Sequence, residues 1–127
     1  MAEDKRLRVL IVDDHMHVRQ GIRSILEDYN DIQVVGEASN GVEAVASMET
    51  LRPSIVLMDI NMPRMNGIEA TAQIRSLYPD TIIIGLSVNA TTAAQESMKR
   101  VGAIRLIPKE EAPDLLYTAI HEAVESL

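Results

Sequence analysis

Short runs of apolar residues alternate along the chain with longer segments in which apolar residues recur at helical spacing. Three of the five runs consist almost entirely of β-branched residues or Leu, as is typical of parallel strands covered on both faces. The predicted strands cover residues 9–12, 32–35, 55–58, 82–86 and 104–107. The predicted helices cover residues 16–28, 40–50, 66–77, 91–100 and 112–126.

The helix segments carry two further signals. Two of them begin with the pattern Asn-Gly-x-Glu, in which an N-cap side chain is followed three residues later by Glu. The first and last segments each place apolar residues on one face. These faces comprise Val18, Ile22, Ile25 and Tyr29 in the first helix, and Leu116, Ile120, Val124 and Leu127 in the last. Five strand–helix units in this order predict an α/β fold with an open, doubly wound parallel sheet.

Composition narrows the class of protein. The 127 residues are 46% hydrophobic and 24% charged, which fits one domain spanning residues 1–127, without a linker, repeat or output domain. The net charge of −7 disfavours nonspecific attraction to DNA or an anionic membrane. The charged N-terminus does not resemble a signal peptide, and no apolar stretch is long enough to span a bilayer. The absence of cysteine excludes disulfides and agrees with a cytoplasmic location.

Charged and polar side chains follow four of the five predicted strands. Asp13 and Asp14 follow the first, Asp59 the third, Ser87 the fourth and Lys109 the fifth, whereas the end of the second strand suggests nothing special. In a doubly wound sheet, functional residues gather at the carboxyl ends of the strands. Each residue alone could be a turn former, a helix cap or a surface charge. Their combination at four strand ends favours a functional site.

Three neighbouring carboxylates need a proton or a cation to relieve their repulsion, which is roughly 4 kcal/mol at about 4 Å and an effective dielectric near 20. Mg²⁺ fits such an oxygen-rich site. Zinc fits poorly because there is no cysteine and only His15 and His17 lie nearby. With a cation present, Asp59 can act as a carboxylate nucleophile toward a phosphoryl donor. Lys109 can share the charge of the transferred group, and Ser87 can hydrogen-bond it afterwards.

Five stretches of the sequence together resemble a known family. They are "VLIVDDH", "VVGEASNGVEA", "IVLMDINMPRMNGIEA", "LSVNA" and "GAIRLIPKE". These motifs are similar to those of receiver domains of two-component response regulators, closest to the NarL/FixJ-type subfamily. The resemblance runs from about Arg8 to the C-terminus. It implies a CheY-like (flavodoxin-like) sheet in the strand order 2-1-3-4-5, with five helices.

The resemblance also implies roles for individual residues. The resemblance implies that Asp59 is the phospho-acceptor, which a histidine kinase or a phosphotransfer protein phosphorylates. Ser87 matches the hydroxyl residue of the switch, and Lys109 matches the phosphoryl-binding lysine. The residues implied to hold Mg²⁺ are Asp13, Asp14, Asp59 and Asn61, the last through its backbone carbonyl.

The resemblance leaves the output of the domain open. Relatives of this subfamily usually continue into a DNA-binding domain, so both a stand-alone receiver and a fragment of a transcription regulator fit the sequence. DNA is expected to be contacted only through such an output domain, and no contact with a membrane is expected. Dimerisation through the first and fifth helices, or through the output face, also stays open.

Four positions depart from the family pattern. Leu106 stands where the family has an aromatic residue, so the usual aromatic switch cannot operate in its usual form. Arg105 stands where the subfamily often has Gly. Val88 replaces a small residue after the switch hydroxyl and is expected to narrow access to the acceptor. Pro108 precedes the lysine instead of following it, so the cis peptide bond of many relatives is not expected.

Three other functions fit the sequence less well than a receiver does. An aspartyl-phosphate phosphohydrolase usually has a second Asp where this chain has Asn61, and turnover without that acid should be poor. A nucleotide or flavin module is disfavoured because no glycine-rich motif follows the first strand. A pseudo-receiver that only docks a partner is disfavoured by the intact acceptor, acidic pair and lysine.

The fourth helix segment offers few side chains to bury. Only Ala93, Ala94 and Met98 are suited to the core, and sparse apolar contact makes an element locally labile. We therefore predict that this helix moves on phosphorylation and forms the output face together with the fifth strand and helix.

Overall fold

The computed structural model describes residues 6–126, and within that range five strands alternate with five α-helices. The strands are β1 (Leu7–Val12), β2 (Ile32–Ala38), β3 (Ile55–Asp59), β4 (Ile82–Ser87) and β5 (Arg105–Pro108). The helices are α1 (Met16–Glu27), α2 (Gly41–Leu51), α3 (Gly67–Leu77), α4 (Thr92–Arg100) and α5 (Ala112–Glu125), and a 3₁₀ turn (Lys109–Glu111) precedes α5.

The strands form one parallel sheet in the order β2-β1-β3-β4-β5. This confirms the predicted α/β class, the strand order and the doubly wound arrangement. In the register, Val12 lies opposite both Ala38 and Met58, and Ser87 lies opposite Pro108. The carboxyl ends of the strands therefore meet at one edge of the sheet, and the loops that follow them are neighbours.

Two apolar layers cover the sheet. Alternate residues of β1 face opposite sides, as the pleat of a strand requires. Val9 and Ile11 pack with the buried faces of α1 and α5. Leu10 and Val12 pack with residues of α2, α3 and α4, including fully buried Met98. Aliphatic and Met side chains fill both layers, which is the packing that the absence of Phe and Trp requires.

Two details of the predicted helix faces differ from the structure, and a third cannot be compared with it. Leu26 of α1 is fully buried, although the predicted face did not include it. Leu26 lies one turn after Ile22, and these two residues form the buried face of α1. The other residues of the predicted face are only half-buried. Ala93 of α4 is exposed, because the short helix touches the core only with Ala94 and Met98. Leu127, the last residue of the predicted α5 face, lies outside the described residues.

The two Asn-Gly-x-Glu patterns begin helices as predicted. The Oδ1 atoms of Asn40 and Asn66 accept hydrogen bonds from the backbone N–H groups of Glu43 and Glu69, at 2.9 and 3.0 Å. Such a cap typically contributes about 1 kcal/mol. The glycine after the second cap has a separate role. A Cβ atom on Gly67 would lie 2.2 Å from the backbone oxygen of Asp59, so only glycine lets α3 begin directly against the end of β3.

Candidate functional site

Two buried aspartates meet a single lysine at the carboxyl edge of the sheet. The Nζ atom of Lys109 lies 2.6 Å from Asp13 Oδ2 and 3.4 Å from Asp59 Oδ1. Asp13 is fully buried and Asp59 is 2% exposed, whereas the Lys109 side chain retains 16% exposure. β1, β3 and the segment after β5 thus bring together three of the predicted site residues. Two buried negative charges face one positive charge.

The acid–base properties of Asp59 reflect its burial first and the neighbouring charges second. Burial raises the pKa of Asp59 from 3.8 to about 6. The neighbouring charge of Asp13 raises the pKa as well, whereas the Asn61 backbone N–H, 3.1 Å from Asp59 Oδ1, and the Lys109 ammonium lower it. The ionised form of Asp59 is therefore less well stabilised than the ionised form of an ordinary surface aspartate.

Lys109 keeps its charge in this partly buried place. Burial alone would lower the pKa of Lys109, but the contact with the Asp13 carboxylate and the charge of Asp59 more than offset it and raise the pKa above 10.5. A fixed ammonium group between two carboxylates is suited to hold an arriving phosphoryl group.

The loop after β1 adds further oxygen atoms to the site. Asp13 Oδ1 accepts a hydrogen bond from the His15 backbone N–H at 2.9 Å. Asp14 Oδ1 is buried and accepts no hydrogen bond from residues 6–126. The His15 Nδ1 atom lies 3.1 Å from it. Ligand atoms of Asp13, Asp14 and His15 lie within 4.8 Å of one another. A buried carboxylate oxygen without a hydrogen bond, close to the Asp13 carboxylate, fits a divalent cation.

Sequence reasoning missed the ion pairs that support this loop. Glu37, at the end of β2, pairs with Arg19 Nε at 2.8 Å and Arg23 Nη2 at 2.8 Å. Arg19 Nη1 also donates to the backbone oxygen of Asp13 at 2.6 Å. The end of the second strand therefore does have a special feature, contrary to the sequence analysis. The sequence did contain two hints of this pairing: Glu37 is the one acid in the β2 segment, and Arg19 and Arg23 are spaced i, i+4 on α1.

The predicted switch residues lie on β4 and β5. Ser87 is fully buried at the end of β4, next to the strand that carries Asp59, and its Oγ accepts a hydrogen bond from the Asn89 N–H at 3.1 Å. Val88 is 77% exposed, and its predicted effect on access to the acceptor stays a prediction. Leu106 is buried among residues of the α2–α4 layer, where an aromatic residue stands in the family pattern.

The loop after β3 is held against the start of α2. The backbone N–H groups of Gly41 and Val42 donate to the carbonyl oxygens of Met65 and Arg64, at 3.0 and 3.4 Å. Met65 and Arg64 both have positive φ angles, 76° and 51°, which non-glycine residues rarely adopt. These contacts fix the loop that contains Asn61. No cis peptide bond occurs in the described part of the chain, as expected from the position of Pro108.

Comparison with known proteins places the site in a wider context. The family model of the response regulator receiver domain matches residues 9–121. The nitrate/nitrite response regulator protein NarL of Escherichia coli (strain K12) is 36% identical over 124 residues, which cover 97% of this chain and 57% of NarL. A protein-glutamate methylesterase/protein-glutamine glutaminase of Methanosarcina mazei is 42% identical over 111 residues, 86% of this chain and 31% of the relative. The chain thus spans from a third to somewhat over half of these curated relatives.

A solved structure agrees in shape. The response regulator domain of Thermotoga maritima CheB aligns with a TM-score of 0.89 and 32% identity, over 94% of this chain and 97% of that domain. Within residues 6–126, none of the helices combines the length and the apolar character needed to cross a bilayer.

Proposed function

This chain belongs to the response regulator receiver family of two-component systems, and we propose that Asp59 is its phospho-acceptor in a Mg²⁺-dependent reaction. The observation that carries the proposal is the convergence of Asp59, Asp13 and Lys109. The Lys109 Nζ atom lies 2.6 Å from Asp13 Oδ2 and 3.4 Å from Asp59 Oδ1. Phosphorylation of an aspartate is general in this family. The buried, incompletely neutralised carboxylate of Asp59 supports its assignment as that aspartate.

The phosphoryl donor is proposed to be a phosphohistidine on a histidine kinase or a phosphotransfer protein. An Oδ atom of Asp59 attacks the phosphorus, a P–O bond forms, and the P–N bond breaks with its electron pair going to the donor imidazole, which takes up a proton. Lys109 supplies positive charge for the phosphoryl oxygens. Ser87, at the end of the neighbouring strand, supplies a hydroxyl group that can turn toward the phosphoryl group after transfer.

Asp13, Asp14, Asp59 and the backbone carbonyl of Asn61 are proposed to hold the Mg²⁺ ion. When bound, the ion neutralises charge on the carboxylates and on the transferred group. The Asp14 Oδ1 atom, which accepts no hydrogen bond within residues 6–126, and the two buried acids that share Lys109 support this assignment. The Arg19–Glu37 pair holds the backbone of Asp13 in place beside it.

The output is proposed to be control of transcription. The NarL-type relative supports this, and the DNA-binding part would belong to the full-length protein, with residues 1–127 forming the receiver domain. DNA would then be contacted only through that output domain. The proposed partner is a histidine kinase or a phosphotransfer protein, and a second copy of the chain is a further proposed partner, in a homodimer. The proposed location is the cytoplasm, without contact with a membrane.

No turnover of outside substrates is proposed for this domain, beyond its own phosphorylation and slow dephosphorylation. A phosphohydrolase would place an acid two residues after the nucleophile, and here that position is Asn61. Its backbone N–H donates to Asp59 Oδ1, which positions the nucleophile but supplies no general acid.

Intact-mass measurement tests the acceptor directly. The protein is incubated with a small-molecule phosphodonor and Mg²⁺, with a second sample containing chelator. We expect one added phosphoryl group, absent in Asp59→Asn and absent with chelator. Asp80→Asn, which changes an exposed aspartate before the amino end of β4, at the edge of the sheet opposite the site, serves as the matched control and should behave as the parent.

Either of two results would overturn the assignment. Unchanged phosphorylation of Asp59→Asn would place the acceptor elsewhere. No added mass on the parent after long incubation would favour a pseudo-receiver that only docks a partner.

A further inference from the structure

The residue after the acidic pair has an unusual position for a helix N-cap. His15 precedes α1, but its side chain makes no capping hydrogen bond to the helix. Instead, the ring lies beside the carboxylates, with Nδ1 at 3.1 Å from Asp14 Oδ1 and 3.5 Å from Asp13 Oδ1. The ring is 59% exposed, so packing does not force it into this place.

We propose that His15 is a nitrogen ligand of the metal site, so that a Zn²⁺ or Ni²⁺ ion binds there with Asp13, Asp14 and this imidazole. The inference deepens the proposed function and rests on its metal site. It revises the expectation from sequence that zinc fits poorly, because the fold brings His15 Nδ1 to the two carboxylates.

The distances from His15 Nδ1 to the two carboxylates fit a shared ion. Zinc binds imidazole nitrogen and carboxylate oxygen at about 2.0–2.2 Å, so two ligands of one ion stand roughly 3.0–3.5 Å apart at tetrahedral or octahedral angles. The distances from His15 Nδ1 to Asp14 Oδ1 and to Asp13 Oδ1, 3.1 and 3.5 Å, lie in this range. Asp14 Oδ1 accepts no hydrogen bond in the described part of the chain, and therefore keeps a lone pair for an ion.

The backbone holds the imidazole in this place. The His15 N–H donates to Asp13 Oδ1 at 2.9 Å, and the Asp13 carbonyl oxygen accepts a hydrogen bond from Arg19 at 2.6 Å. The three candidate ligands are thus consecutive residues of one supported turn. A preorganised turn loses less entropy on metal binding than a mobile one.

The chemical consequence is metal selectivity. Mg²⁺ prefers oxygen ligands and keeps several waters, whereas imidazole favours Zn²⁺ and Ni²⁺. Transition metals bind most sites of this kind more tightly than Mg²⁺, so tight Zn²⁺ binding alone is not diagnostic. The diagnostic quantity is the part of the Zn²⁺ and Ni²⁺ affinity that depends on His15.

Isothermal titration calorimetry on the metal-free full chain measures that part, with Mg²⁺, Zn²⁺ and Ni²⁺ as separate titrants. We expect His15→Asn to weaken Zn²⁺ and Ni²⁺ by about tenfold or more, since even residues behind a ligand are worth that much. Mg²⁺ affinity should stay unchanged. His17→Asn is the matched control, because His17 is exposed on the same helix and its ring lies 5.9 Å from that of His15.

A spectroscopic measurement identifies the ligand atom. In ¹⁵N-edited NMR, Zn²⁺ should shift the ring Nδ1 signal of His15 and leave those of His17 and His121 in place, whereas Mg²⁺ should shift none of the three. Asp13→Asn should abolish binding of both kinds of ion.

The outcomes separate the inference from the proposed function. If Mg²⁺ binds the parent but His15→Asn loses no Zn²⁺ or Ni²⁺ affinity, the inference alone is wrong. The same holds if His17→Asn loses as much as His15→Asn. If neither kind of ion binds the parent, or if Asp13→Asn retains Mg²⁺, the proposed metal site is wrong as well.

Discussion

At the scale of single residues, Asp59 combines a structural cost with a chemical use. Its carboxylate is buried beside a second buried acid, and one ammonium group serves both. A buried charge without full compensation destabilises the folded state, and the raised pKa of Asp59 expresses that cost. The same lack of compensation leaves the site ready for a cation and a phosphoryl group.

Asp59→Asn is expected to stabilise the metal-free protein at neutral and alkaline pH. The pKa of Asp59 is about 6 in the folded state against 3.8 for the free side chain, so ionisation costs the folded parent up to about 3 kcal/mol of unfolding free energy. This cost is absent below pH 3.8 and grows as the pH rises to 6. Urea denaturation at pH 8 and pH 4 with chelator measures it. A gain of equal size at both pH values would contradict the explanation.

Gly67→Ala is expected to destabilise the protein by about 2 kcal/mol or more, because its Cβ atom would meet the Asp59 backbone oxygen at 2.2 Å. The shift of α3 should also slow phosphorylation. Gly21→Ala is the matched control, since a Cβ atom there meets nothing within 4 Å and alanine favours the helix by up to about 1 kcal/mol. Urea denaturation compares the two variants; equal effects would show that the close approach at Gly67 is unimportant.

At the scale of elements, α1 is tied to the sheet by charge as well as by apolar packing. Arg19 and Arg23 both pair with Glu37 on β2, and Arg19 continues to the Asp13 backbone. Burial alone would raise the pKa of Glu37, but hydrogen bonds from Arg23 and Arg19 lower it below 4.5. This network connects the start of α1 to two strand ends at once.

Glu37→Gln is therefore expected to reduce the free energy of unfolding by about 1 kcal/mol at pH 7, a value reduced for the partial exposure of the pair. Since the pKa of Glu37 is lowered, its contribution is present above 4.5 and lost as the pH falls below that value. Urea denaturation at pH 7 checks the loss. Glu49→Gln, at an exposed position of α2, should change stability little; a similar loss there would argue against a specific role for the network.

Helix α4 is the element with the weakest attachment to the core. Met98 is its one buried residue, against five in α5. The side chains of Met98 and Leu106 both pack over Gly85, so α4 and β5 share a contact. We expect the backbone amides of α4 to exchange faster with deuterium than those of α5, and exchange across residues 88–107 to change on phosphorylation. Identical exchange in the free and phosphorylated states would contradict a moving α4.

At the scale of the whole molecule, the sheet separates two apolar layers and places the buried acids Asp13 and Asp59 at one edge. The chain carries a net charge of −7, and two of its acids, Asp13 and Asp59, are buried at the proposed metal site. A divalent cation there should stabilise the whole domain, because it binds only the folded state.

Mg²⁺ is expected to raise the melting temperature of the parent. At a concentration tenfold above its dissociation constant, an ion adds about 1.4 kcal/mol, which corresponds to roughly 3–6 °C for a domain of this size. Differential scanning calorimetry with Mg²⁺ or chelator measures the shift. Asp13→Asn should lose most of it, and a shift of the same size in that variant would place the ion elsewhere.

The features of this protein that depend on local spacing could be predicted from the amino-acid sequence. The apolar runs and helical periods predicted all five strands and helices. The caps at Asn40 and Asn66 followed from three-residue patterns. The polar residues after four strands predicted the site, because parallel strands of one sheet end at the same edge.

Contacts between side chains far apart along the chain, by contrast, became visible in the three-dimensional fold. Glu37 and Arg19 pair across 18 positions of the chain. The lone acid on β2 and the i, i+4 arginines on α1 mark both sides as candidates for an ion pair, but local spacing does not show that they meet. The burial of Leu26 depends on how α1 lies on the sheet. The direction of the His15 ring depends on the turn that also carries Asp13. Spacing along a chain specifies local backbone conformation, whereas side-chain partners depend on how finished elements pack together.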